Sequence, residues 1–371
     1  KMTKNSDGTF SFEFTPTELF QYNGIGKIGV LAKAKNGTGD KKTPDYFFEV
    51  GRFDLTINSP KTNPVILERE GLINISVSSA NEINYFLIND DKVLFESLNN
   101  KNFSKDILGP DSQNNGLKLS ESTTLRLLCE DVNDSDNFIN LNFEIVVEPV
   151  SIEIEPPFEL KDGINYDNNN SSIIYLQLNA PNKDFVYVLG NFNQYENNNE
   201  SLMNINPSNN KFWIEINGLQ ENENYWYQYE VFSKSPVSGS PTVVKVADPF
   251  SNLVISSYDD NDVSENSFPD LPKFPENQIG EFTFINKSEK YNWNITEFIK
   301  PNKEDLIIYE ILVRDFDKER SFQNLIDRIE YFKNLNINAI ELMPVMEFEG
   351  NESWGYNSSY HLSLDKFYGI Q

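Results

Sequence analysis

Up to about Lys300 the apolar side chains of this sequence arrive in short runs of period two, broken by Gly, Pro, Asn and Asp. From Asp305 the pattern changes to a continuous apolar run, a helical stripe and a second continuous run. A strand that alternates apolar and polar residues buries one face only, so the first part must pair sheets face to face. The later pattern is that of a parallel β-α-β unit. A length of 371 residues suits two to four such domains rather than one. The fold class expected is therefore mostly β: tandem sandwiches followed by the start of a barrel or a doubly wound sheet.

Turn signals place the boundaries. Residues 1–58 hold Phe10-Ser11-Phe12-Glu13-Phe14, Ile28 to Ala34 and Asp45 to Val50. Three or four strands are too few to close a sandwich, so this stretch reads as a partial immunoglobulin-like β module. Residues 59–150 carry Leu72 to Val77, Ile83 to Ile88, Thr124 to Leu128 and Leu141 to Val147, enough for a full immunoglobulin-like sandwich. Residues 151–250 form a third unit, entered through Pro156-Pro157. Its strands are expected at Ile173 to Leu178, Phe185 to Gly190, Phe212 to Ile216 and Tyr225 to Val231. Residues 251–304 lose periodicity, collect Asp259-Asp260-Asn261-Asp262 and three prolines, and are expected to run as a linker packed on residues 305–371.

Charge and composition remove several classes of function. Asp and Glu number 57 against 31 Lys and Arg, a net charge of −26, which repels nucleic acid and anionic membranes. The single cysteine, Cys129, lies in an apolar strand and forms no internal disulfide or thiolate cluster. His361 is the only histidine, so multi-histidine metal sites lack their ligands, and a solvated or packing role is expected for it. No run of 18 apolar residues spans a bilayer, and no basic or apolar leader opens the chain.

Within the third unit, Val186-Tyr187-Val188-Leu189-Gly190-Asn191-Phe192-Asn193-Gln194-Tyr195, Lys211-Phe212-Trp213 and Tyr227-Gln228-Tyr229 resemble the early-set, glycogen-binding-like sandwiches of starch and glycogen enzymes. Asn191 and Tyr195 stand where that family has Asp and Trp. Trp213 and Tyr229 are expected to fill the sandwich core rather than to bind glycan. Ala247-Asp248-Pro249-Phe250 resembles the connector that precedes the barrel in starch-debranching enzymes.

The last segment is more specific. Leu306 to Val313 reads as a strand buried on both faces. Phe322, Leu325, Ile326, Ile329, Phe332 and Leu335 form an amphipathic helical stripe capped by Ser321, and Ile337 to Val345 forms the second strand. Ile308 to Phe316, Leu335 to Val345, Ser353-Trp354-Gly355-Tyr356-Asn357 and Asp365-Lys366-Phe367-Tyr368-Gly369 together resemble the opening of the α-amylase superfamily catalytic (β/α)₈ barrel. No Gly-x-Gly-x-x-Gly follows the first strand, which argues against a dinucleotide fold.

The resemblance implies a retaining glycoside hydrolase acting on α-glucans such as starch, glycogen or maltodextrins. Tyr356 is the expected substrate-stacking residue, with Trp354 and Asn357 shaping the same pocket. Glu341 is set aside, because the family's second strand supplies no acid or base, and Glu310 and Arg314 are expected as structural partners in the barrel mouth. A whole barrel needs about 250 residues, so the family's catalytic Asp, Glu and Asp are expected beyond Gln371, and no catalytic residue is assigned within the chain. We therefore expect an internal fragment, inactive alone, of a larger secreted or cell-surface enzyme. No cofactor is visible, and calcium in the full-length protein stays open because the family's ligands come mostly from absent segments. The expected partner is an α-glucan polysaccharide or oligosaccharide. The rival reading is a polysaccharide-binding or cell-surface protein without catalysis.

Overall fold

The computed structural model describes residues 54–221, 223–237, 239–285, 292–295 and 297–369. Before Asp54 it describes only six short strands, Thr3–Lys4 (β1), Phe10–Ser11 (β2), Gly24–Ile28 (β3), Leu31–Ala32 (β4), Lys41–Lys42 (β5) and Tyr46–Val50 (β6). β3 pairs antiparallel with β6. The remainder of the expected first module, up to Phe53, lies outside the described residues. The chain divides into two compact units, one centred on residues 42–150 and the other on residues 151–233 and 243–371.

The first unit is built by long strands that bend. Leu55–Ser59 (β7), Val65–Leu67 (β8), Leu72–Asn89 (β9), Lys92–Leu108 (β10), Leu117–Lys118 (β11), Thr123–Asp131 (β12) and Asp134–Val147 (β13) form one sheet ordered β11-β10-β9-β12-β13-β8, with β7 also paired to β9. The two separate strands expected at Leu72 to Val77 and Ile83 to Ile88 are thus halves of a single strand. The polar stretch Ser78 to Glu82 continues it as a corner instead of turning, while bulges in β10 keep the partner in step. Alternate residues from both halves, Ile75, Val77, Ile83, Tyr85 and Leu87, bury into one core with Leu125, Leu127, Cys129, Ile139 and Phe143. Each such side chain contributes about 1.5–3 kcal/mol of burial.

The second unit opens with two sheets packed on each other. Gly163–Tyr166 (β14), Ile174–Leu178 (β15), Asn204–Ile205 (β17) and Phe212–Ile216 (β18) form one sheet, ordered β14-β15-β18-β17. Phe185–Gly190 (β16), Tyr225–Phe232 (β19), Val243–Val246 (β20), Val254–Ser256 (β21) and Glu281–Ile285 (β22) form the other, ordered β16-β19-β22-β21 with β20 beside β19. Residues 251–304, expected as linker, therefore give two strands to this sandwich. Their runs of three and five residues are too short to show periodicity in the sequence. Trp213 is buried and donates its indole N–H to Ile154 O at 2.8 Å, but it packs with Leu160 and Tyr175 in a small cluster apart from the sandwich core expected for it, in which Tyr229 does lie.

A buried aspartate ties that sandwich to its connector. The hydroxyls of Tyr227 and Tyr229 both donate to Asp248 Oδ2, at 2.6 and 2.8 Å, and Phe250 N donates to Oδ1 at 2.8 Å. Burial raises the Asp248 pKa and the bonds it accepts lower it, with the rise prevailing; the same burial drives both phenols well above their usual value.

The final segment sets Ile308–Ile311 (β23) parallel to Ala339–Leu342 (β24), the parallel pairing expected. Between them lie Val313–Phe316 (α1), Phe322–Asp327 (α2) and Ile329–Asn334 (α3). The single helix expected from Phe322 to Leu335 is broken at Arg328, whose φ of −99° and ψ of 13° leave the helical region. Of its stripe, Phe332 is buried while Ile326, Ile329 and Leu335 are exposed, so tertiary packing does not hold one continuous helix. The β23 run, expected to be buried on both faces, leaves Leu306, Ile307 and Ile308 exposed, because β23 has only β24 beside it among the described residues. Met346–Phe348 (β25) and Ser358–Leu364 (β26) then form an antiparallel hairpin.

Candidate functional site

The β25–β26 hairpin carries at its tip the loop that contains Ser353-Trp354-Gly355-Tyr356-Asn357. Gly355 adopts φ of +86°, and a Cβ there would stand 2.1 Å from Pro344 O, so only glycine lets the loop lie this close to the end of β24. Ser353 and Gly355 are buried, whereas Trp354 is 64% and Tyr356 70% exposed. The two rings alternate with two buried positions and stand out on the open side of the loop.

The loop is pinned from behind. Ser353 Oγ accepts from Gly355 N at 3.0 Å and donates in a short bond to Asn357 Oδ1. Ser358 Oγ donates to Gly355 O at 3.0 Å. Arg314 Nη1 donates to Ser353 O at 3.1 Å while its Nε and Nη2 grip Asp315 at 2.7 and 3.0 Å. That fork lowers the Asp315 pKa and raises that of Arg314. Arg314 thus serves the loop and Asp315, and Glu310 is exposed on β23. Asn357 is half-buried, and its Nδ2 has no protein partner among the described residues. His361 is exposed on β26.

Beneath the loop lies a charge cluster that the sequence did not announce. Lys366, 1% exposed, makes a short bond to Glu347 Oε1 and stands 3.3 Å from Asp259 Oδ1 and 3.2 Å from Asp260 Oδ1. Burial pushes Glu347 up to about 8, Asp365 to about 7 and Asp260 to about 6, each partly offset by the Lys366 ammonium. Nearby, Glu281 of β22 accepts from the Tyr360 hydroxyl at 2.6 Å, and burial raises its pKa as well. An Asp run between prolines reads as solvated surface. Only a lysine about a hundred positions later, at an unremarked place in the Asp-x-x-Tyr-Gly motif, makes it interior. Among the described residues no group of three or more His, Cys, Asp or Glu is arranged to hold a metal ion.

No family model matches the chain. Malto-oligosyltrehalose trehalohydrolase of Saccharolobus solfataricus is 33% identical over 126 residues, 34% of this chain and 21% of the relative. Isoamylase 1, chloroplastic, of Arabidopsis thaliana is 34% identical over 80 residues, 19% of this chain and 10% of the relative. The 1,4-alpha-glucan branching enzyme GlgB of Halothermothrix orenii is 22% identical over 215 residues, 55% of this chain and 30% of the relative. Among solved structures, the Group B Streptococcus pullulanase SAP superposes with a TM-score of 0.40 and 16% identity, covering 85% of this chain and 41% of that one. The chain spans about a fifth of the trehalohydrolase's length and about a tenth of the isoamylase's. By sequence, this chain is related to the α-amylase superfamily.

Proposed function

We propose that this chain is the accessory and barrel-opening part of a retaining glycoside hydrolase that acts on α-glucans such as starch, glycogen or maltodextrins. The observation that carries this reading is the pair of exposed rings, Trp354 and Tyr356, on a loop held rigid from behind. A pyranose presents a face of C–H groups that lies flat on an aromatic ring. In this reading Tyr356 stacks on the sugar, Trp354 walls the same site, and Asn357, whose Oδ1 accepts from Ser353, shapes the loop behind them. The relatives named as a malto-oligosyltrehalose trehalohydrolase, an isoamylase and a 1,4-alpha-glucan branching enzyme support an α-glucan as the substrate class.

Retaining hydrolysis needs a carboxylate nucleophile and a protonated carboxylic acid about 5–5.5 Å apart, one on each side of the scissile bond. Three carboxylates that surround the loop are engaged otherwise: Asp315 by Arg314, Glu347 by Lys366 and Asp259 by Gly350 and Lys366. We assign no catalytic carboxylate within the 371 residues and propose that they do not hydrolyse glucan by themselves. The tandem β modules ahead of the barrel segment support a secreted or cell-surface location. The test is hydrolysis of amylopectin and maltodextrin by the enzyme that carries this chain, followed by NMR of the first product. Release of the α-anomer first supports retention, and no cleavage of any α-glucan refutes the reading.

A further inference from the structure

The connector Ser251 to Pro275 and the aromatic loop are far apart in sequence yet share one residue. Asp259 Oδ2 accepts from Gly350 N at 3.1 Å, its backbone O accepts from Asn351 Nδ2 at 3.1 Å, and its Oδ1 faces the Lys366 ammonium at 3.3 Å. Asp259 is thus tied at once to the start of the aromatic loop and to Lys366, two residues past the hairpin's last strand. The surroundings fix it further: Tyr360 bonds to Glu281 of β22, and Ser363 Oγ donates to Asn252 O at 3.1 Å, so β26 lies against both β22 and the connector. Ala247, Val254 and Tyr360 close a small apolar cluster beside these bonds.

We propose that Asp259 is a positioning residue, through which the connector of the sandwich sets where the Trp354–Tyr356 loop stands. Gly350 takes φ of +73°, a conformation in which its N–H is turned to Asp259, its one acceptor among the described residues. The Lys366 ammonium stands 3.3 Å from the other oxygen of the same carboxylate, so Asp259 is held from both sides. A shift of the connector therefore moves the loop with it. What the loop does with its position rests on the glucan reading above, whereas the coupling itself does not.

The experiment is hydrogen exchange on the full chain without sugar, comparing Asp259→Ala and Asn351→Ala with the unmodified protein. A charged hydrogen bond of ordinary strength predicts that Asp259→Ala speeds exchange at Gly350 to Asn357 by about tenfold or more, while the amides of Tyr227 and Tyr229 keep their rates. Asn351→Ala touches no buried charge and serves if Asp259→Ala also loosens the sandwich; it is expected to speed the same loop about threefold or more. Unchanged loop exchange in Asn351→Ala, or exchange in Asp259→Ala that rises equally everywhere while Asn351→Ala stays silent, overturns the proposal. In the glucan-acting enzyme, Asn351→Ala is expected to raise KM several-fold with kcat nearly unchanged. Faster exchange with an unchanged KM would leave the coupling standing and refute its link to sugar binding.

Discussion

Replacing Lys366 by methionine removes the one ammonium from a pocket that also holds Glu347, Asp259 and Asp260. Methionine matches the side chain in length, so little packing is lost. The cost is electrostatic: stripping the partner from a buried ion pair is worth about 3–5 kcal/mol when the remaining charge stays ionised. Protonation relieves that cost, which makes it depend on pH. Burial raises Glu347 to about 8, Asp365 to about 7 and Asp260 to about 6 in the folded protein, above their unfolded values. Carboxylates raised in this way favour the fold fully below their unfolded pKa and lose that contribution as pH rises through the folded values. Unmodified protein is therefore expected to lose stability in this unit from about pH 4, the unfolded values, up to about pH 8, and Lys366→Met more so. Urea unfolding followed by tryptophan fluorescence should give a penalty of ~1–2 kcal/mol at pH 5.5, where Glu347, Asp365 and Asp260 hold protons, and about 3–5 kcal/mol at pH 8.5. A penalty below about 1 kcal/mol at pH 8.5, or an equal one at both pH values, would refute this account of the cluster.

Two further substitutions test the supports. Asp248→Ala leaves the Tyr227 and Tyr229 hydroxyls unpaired in the sandwich and should cost about 2–4 kcal/mol, against a smaller loss for Asp248→Asn, which keeps an acceptor in place; equal losses in urea titrations would contradict the role given to the carboxylate. Gly355→Ala forces a Cβ against Pro344 O at positive φ, so a crystal structure or NMR spectrum should show the loop displaced and the protein destabilised by about 2 kcal/mol or more, while an unmoved loop would show that the close approach is not needed.

How far the sequence disclosed this arrangement follows from where each signal lives. Strands half-buried in a sandwich must alternate, so the core positions of β12, β13, β15 and β18 stand in the sequence as period-two runs. The same rule misled at β9, where polar residues mark a corner of a continuous strand, and at β21 and β22, which are too short to carry a period. At β23 a continuous apolar run indicated burial on both faces, but burial depends on neighbours, and among the described residues only β24 flanks that strand. The Trp-Gly-Tyr loop was legible because its motif is local, and Gly355 supplies the backbone conformation that the motif needs. The Asp259–Lys366 contact was not, since it joins residues 107 positions apart and neither has a local pattern that marks it as buried.

The role given to Tyr356 meets its most direct test in steady-state kinetics of Tyr356→Ala, made in the enzyme that carries this chain and assayed on maltodextrin. The ring is 70% exposed, so its removal should leave the melting temperature within about 1 °C. Covering its face with a sugar is worth about 1.5–3 kcal/mol, which predicts a fall in kcat/KM of roughly 10- to 150-fold. Near-normal kcat/KM in the folded variant would contradict the claim that this loop is where the glucan binds.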